Sequence, residues 1–116
     1  MVFLVGLAGF FGVVTRYLIS MPFHGTALTW ATMGINVSGS LLLGVLVSSH
    51  NFSDDLRTVA GVGFLGGFTT FSTFSVQAFL DIEAGEPVRA LVYVASSVAL
   101  GLAAAAGGYY LGRAVL

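Results

Sequence analysis

Polar and apolar residues are segregated along this chain into long blocks. Apolar runs cover about 2–21, 27–49, 58–80 and 88–113, and short polar stretches separate them: Pro22 to Thr26, His50 to Arg57 and Asp81 to Pro87. Crossing the hydrocarbon core of a bilayer takes roughly 20 apolar residues, and each run is long enough. Backbone amides in hydrocarbon must be satisfied within the protein, so such blocks predict helices rather than isolated strands. The expected fold class is an all-α integral membrane protein, with one transmembrane domain of four antiparallel-neighbouring helices over residues 1–116 and no room for a soluble domain.

Composition strengthens this picture. Of 116 residues, 57% are apolar and 8% charged, against about 25% charged in soluble domains. Cysteine is absent, which removes disulfides, thiolate metal sites and a cysteine nucleophile. A net charge of -1 without a basic run speaks against nucleic acid as a partner. The N-terminus lacks the basic region of a cleaved signal peptide, and its apolar run is long enough to span. The expected location is the cell membrane, with several passes.

The arginines are balanced. Four spans place Arg57 and Arg113 on one side and Arg16 and Arg89 on the other, so the usual excess of positive charge in cytoplasmic loops is missing. Two oppositely inserted copies could then pair about an axis in the membrane plane, as inverted repeats do; a tie in so small a count also arises by chance.

Small residues recur four apart inside the spans, as in Gly34 and Ser38, Ser40 and Gly44, and Ala104 and Gly108. Such pairs let helices approach closely in lipid, within one subunit or between two. The third run differs from the others: Gly61-Val62-Gly63-Phe64-Leu65-Gly66-Gly67 is followed by Phe68-Thr69-Thr70-Phe71-Ser72-Thr73-Phe74-Ser75. Each glycine weakens a helix by about 1 kcal/mol relative to alanine. Irregular backbone at membrane depth survives only against protein or a wet cavity. The glycine cluster therefore predicts a broken third helix.

Materials for enzyme chemistry are lacking. No carboxylate is expected inside a span, and His24 and His50 fall in separate loops, so neither an acid–base pair nor a metal cluster is evident. Arg16 is the one charge clearly within a span; it either snorkels to the interface or attracts anions. Asn36 is either interhelical glue or a donor to an anion. Phe71 and Phe74 share a helix face, with Thr69, Ser72 and Thr73 as a neighbouring hydroxyl stripe. Phenyl edges are positive, so this stripe suits an anion, although a phenylalanine stripe also serves simple packing.

Taken together, these residues resemble the Fluc, or CrcB, family of fluoride channels over essentially the whole chain. The most specific segment is Gly66-Gly67-Phe68-Thr69-Thr70-Phe71-Ser72-Thr73-Phe74, supported by Gly9-Phe10-Phe11-Gly12 with Arg16-Tyr17, and by Asn36 with Gly39 and Leu41-Leu42-Leu43-Gly44. Ala8-Gly9 stands where the family usually has a glycine pair, and Gln77 where relatives commonly carry Glu. The resemblance implies an antiparallel, dual-topology dimer with two fluoride pores. The partner is a second copy of the chain or a homologous subunit, and both sit in the lipid bilayer. Asn36, Phe71, Phe74, Ser72 and Thr73 would line a pore, with Tyr93 and Ser97 facing it from the fourth span. It also implies a structural sodium ion at the dimer centre, held by carbonyls around Gly66 and Thr69. Arg16 would be a vestibule or structural charge.

Two rival readings are a small multidrug-type proton-coupled exporter and a non-conducting membrane assembly subunit. The first needs a membrane-embedded carboxylate to exchange protons.

Overall fold

A computed structural model describes residues 1–116, nearly all of them helical. Helix α1 spans Val2–Ser20 and α2 spans Thr26–Ser48. Helix α3 (Asp54–Arg57), a π-helical stretch (Thr58–Leu65) and α4 (Gly66–Phe68) follow one another without a gap, and α5 (Phe71–Glu83) and α6 (Pro87–Val115) complete the chain. Four segments are long and apolar enough to cross a membrane, as the hydrophobic blocks predict: Val2–Ser20, Thr26–Ser48, Asp54–Glu83 and Pro87–Val115.

The ends of these spans depart from the polarity pattern because charged residues cap helices here. Ser53 Oγ accepts the Leu56 N–H at 3.1 Å, and Asp54 and Asp55 occupy the first turn of α3, where the helix dipole favours negative charge. The second connector is therefore shorter than predicted. Arg57 reaches back from α3 to close the end of α2, its Nε donating to Leu46 O at 3.3 Å and its Nη2 to Ser49 O. Asp81, expected in a loop, lies in the last turns of α5 and pairs with Arg89 at 3.0 Å. Gly85, at φ +80°, donates to Ile82 O at 3.0 Å while Glu86 donates to Asp81 O at 2.9 Å. These crossed bonds end α5 in a left-handed cap, and Pro87 then starts α6 where its missing N–H costs nothing.

Packing rests on two backbone-to-backbone seams. Between α2 and α6, a Cβ on Gly108 would strike Leu41 O, and one on Gly112 would lie 2.7 Å from Val45 O. Between α1 and the first half of the third span, a Cβ on Gly63 would lie 2.8 Å from Val5 O, and Gly12 has no room beside Phe64 O. The pairs at Gly44 and Gly108 thus pack within one subunit, while Gly34 has nothing within 4 Å. Only 16 of 116 residues are buried, too few for a water-soluble core, and the remaining apolar surface needs lipid or another chain to cover it.

The third span is interrupted, but beyond the glycines. Gly66 N–H still reaches Gly61 O and Gly63 O, so the glycine run stays helical with a wider turn. Thr69 (φ -89°, ψ 157°) and Thr70 (φ -148°, ψ 120°) are extended. Contact with α1 holds the glycines in place. The chain leaves the helix at the first residues past that contact, two threonines whose branched side chains favour extended backbone.

Candidate functional site

At the interruption the last helical bond is reinforced by a hydroxyl, and the backbone groups beyond it take side-chain partners, two of them from other spans. Leu65 O accepts from Thr69 N–H at 3.0 Å and from Thr69 Oγ1 at 2.9 Å. Arg16 of α1 donates from Nε to Gly67 O at 3.2 Å. Asn36 of α2 accepts the Thr70 N–H on Oδ1 at 2.9 Å and donates from Nδ2 to Thr70 O at 3.0 Å. Thr70 Oγ1 accepts the Thr73 N–H at 3.3 Å and so caps α5. The carbonyls of Gly66, Phe68 and Thr69 receive no bond from any side chain or loop amide. Such oxygens, at the negative end of a half-helix, form a donor set suited to a hard monovalent cation. The start of α5 presents the opposite polarity, with amides and a positive dipole end.

A cavity of about 360 Å³ opens beside the interruption. Asn36, Gly66, Thr69, Phe71, Phe74 and Ser97, each singled out in the sequence, all line it. The rings of Phe71 and Phe74 are 5.8 Å apart and tilted by 50°. Phe71 is 77% exposed, whereas Phe74 is half-buried. Ser97 Oγ is buried and has no protein partner.

The other sequence candidates are placed differently. Arg16 and Thr73 line a second cavity of about 280 Å³ between α1, α2 and α5, together with Thr32, Thr70 and Gln77. Ser72 is exposed and lines neither cavity. Tyr93 is 1% exposed, and its ring backs Phe74 at 5.1 Å. Its hydroxyl donates to Gln77 Oε1 at 2.8 Å; Gln77 Nε2 donates to Thr32 Oγ1 at 3.0 Å, and Thr32 to Leu28 O at 3.1 Å. This chain of hydrogen bonds ties α2, α5 and α6 together with every hydroxyl proton assigned.

Sequence reading missed Thr70, the residue lining both cavities, and the partnership of Gln77 with Thr32. A signal existed for the first, because Thr70 stands three residues before Thr73 at the start of a helical stretch, as an N-cap does. Gly39 is also explained: a Cβ there would strike the Thr69 methyl.

The family model described as CrcB-like protein, Camphor Resistance (CrcB), matches residues 3–109. The chain is 41% identical over 120 residues to the fluoride-specific ion channel FluC of Rhizobium etli (strain CIAT 652), covering 97% of this chain and 96% of that protein. It is 40% identical over 121 residues to the protein of the same name from Erythrobacter litoralis (strain HTCC2594), covering 94% and 89%. With that of Chlorobaculum tepidum it shares 41% over 118 residues, covering 97% and 94%.

Proposed function

The chain belongs to the CrcB family, and from that membership we propose that it is a multi-pass membrane channel selective for fluoride, allowing passive efflux that relieves fluoride toxicity. The carrying observation is the convergence of Phe71, Phe74, Asn36 and Ser97 on one cavity at an interrupted span, in a chain about 40% identical along its length to fluoride-specific channels. Fluoride holds its water tightly, so a path must offer donors at several sites, each weak enough for the ion to leave. Phenyl edges, hydroxyls and the amides opening α5 meet that need without a full charge, which in low dielectric would bind the ion too firmly. Thr73 and Ser72 extend the hydroxyl stripe along α5, and Tyr93 acts from behind, bracing Phe74.

The working unit is an antiparallel, dual-topology dimer of two copies, or of this chain with a homologous subunit. Support comes from Gly66 and Phe71, which line the first cavity yet stay exposed in the single chain. The two-against-two arginine count supports it as well. The structural sodium ion would be held by the carbonyls of Gly66 and Thr69, which side chains and loop amides leave free. When bound, it would supply a fixed positive charge at the subunit seam.

The exporter reading lacks its free carboxylate: Asp81 sits near the end of its helix, paired with Arg89. Purified protein in fluoride-loaded liposomes should release fluoride to an electrode and retain chloride. Absence of flux would favour a non-conducting assembly subunit. A C-terminal tag should be accessible on both faces of sealed vesicles, and a tag on one face alone would exclude dual topology.

A further inference from the structure

Thr70 is shared by the two cavities, and its peptide groups are gripped by a single side chain. The Asn36 amide makes bonds of opposite sense, at 2.9 Å to Thr70 N–H and 3.0 Å to Thr70 O. It offers an extended residue what a neighbouring strand would. Asn36 is seated in its turn: Ser40 Oγ donates to Asn36 O at 2.8 Å, and Gly39 leaves room for the Thr69 methyl. Any rotation of the Thr70 peptide would swing the Thr69 carbonyl in one direction and the start of α5 in the other. Phe71, the next residue, would move with it.

We propose that Asn36 is a positioning residue. It acts on the ion path through the Thr70 backbone, with Oδ1 and one of the two Nδ2 hydrogens engaged there, and sets where the Phe71 ring stands, rather than serving the anion as a donor. The flux part of the test rests on the channel reading above; the spectroscopic part does not.

Replacing the Thr70 backbone amide by an ester removes the N–H that Asn36 accepts and leaves every side chain in place. In full-length protein in liposomes, the ester is expected to slow fluoride efflux at least fivefold. Asn36→Ala should do the same, and the two together should be no slower than the slower one alone. A para-fluorine on the Phe71 ring should show its ¹⁹F line shifted or doubled by the ester. Wild-type flux from the ester beside a slow Asn36→Ala would make Asn36 a direct anion donor and overturn the proposal, as would multiplicative losses or an unmoved ¹⁹F line. Because the ester also weakens the Thr69 carbonyl as an acceptor, the comparison needs a variant at Asn36; should Asn36→Ala fail to fold, Asn36→Ser, which also removes the Oδ1 acceptor, takes its place beside the ester. If the unaltered protein passes no fluoride, the channel reading fails, and the ¹⁹F comparison still tests the clamp.

Discussion

The seam between α2 and α6 and the interruption of the third span both depend on glycine, yet they are built in opposite ways. At the seam, Gly44, Gly108 and Gly112 bring two continuous helices together, and each backbone ladder remains intact. In the third span, glycines bring the first half against α1, and the ladder then fails beyond the Thr69 N–H, where Arg16 and Asn36 take over its bonds. Close approach alone makes a scaffold. Close approach followed by an interruption exposes oppositely directed backbone groups in mid-membrane, which an ion site requires.

The largest effect is expected at the scaffold. Gly108→Val forces branched carbon into Leu41 O, where backbone has no freedom to give. Overpacking of this kind costs about 1–3 kcal/mol even when side chains can yield, so detergent-solubilised protein should run as aggregate in size exclusion. A monodisperse, conducting Gly108→Val would show that the seam is looser than its contacts imply.

Next in size is the proposed ion path. Phe71→Ile keeps apolar bulk and removes the positive ring edge, so the protein should fold and dimerise while fluoride efflux falls at least tenfold, equivalent to about 1.4 kcal/mol. Phe74→Ile should act in the same direction with some loss of stability, because that ring also packs on Tyr93. Wild-type efflux from both variants would reduce the rings to packing and remove the pore from this cavity.

Four spans were legible because block length and polarity are local properties, and the Gly66-to-Phe74 segment pointed to the interrupted stretch for the same reason. Helix ends were not: Asp54 and Asp81 look like loop residues until Ser53 and Arg89 are seen to cap and pair with them. Glycine propensity pointed to an interruption in the cluster from Gly61 to Gly67, but contact with α1 keeps it helical and moves the break to the threonines. The Asn36 clamp joins residues 34 apart and Arg16 reaches 51 residues to Gly67. Sequence left Asn36 open between glue and donor, and Arg16 between snorkelling and attraction, because neither partner is near in the chain.

Arg16 sharpens the comparison at intermediate size. Its Nε bonds Gly67 O, so Arg16→Lys keeps the charge while losing the directed donor of a planar guanidinium. A charge-assisted hydrogen bond contributes about 1.5–3 kcal/mol. Thermal stability and flux should therefore both fall in Arg16→Lys, nearly as far as in Arg16→Gln. Full rescue by Lys would assign Arg16 to anion attraction instead of to the interrupted helix.

The smallest effect is expected from Gln77→Glu, within the hydrogen-bonded chain that joins Tyr93 to Thr32. Gln77→Leu strands the buried Tyr93 hydroxyl and takes the donor from Thr32, which should lower stability by about 1–3 kcal/mol. Gln77→Glu preserves the shape. A protonated carboxyl can donate to Thr32 Oγ1 and accept from Tyr93 as the amide does. An ionised one can accept from both, provided the Thr32 hydroxyl turns away from Leu28 O. Either form finds its partners, so Gln77→Glu should melt within about 1 kcal/mol of the parent and change fluoride efflux less than threefold. A loss as large as that of Gln77→Leu would mean that the Thr32 hydroxyl cannot turn, and that this network is rigid in the same sense as the α2–α6 seam.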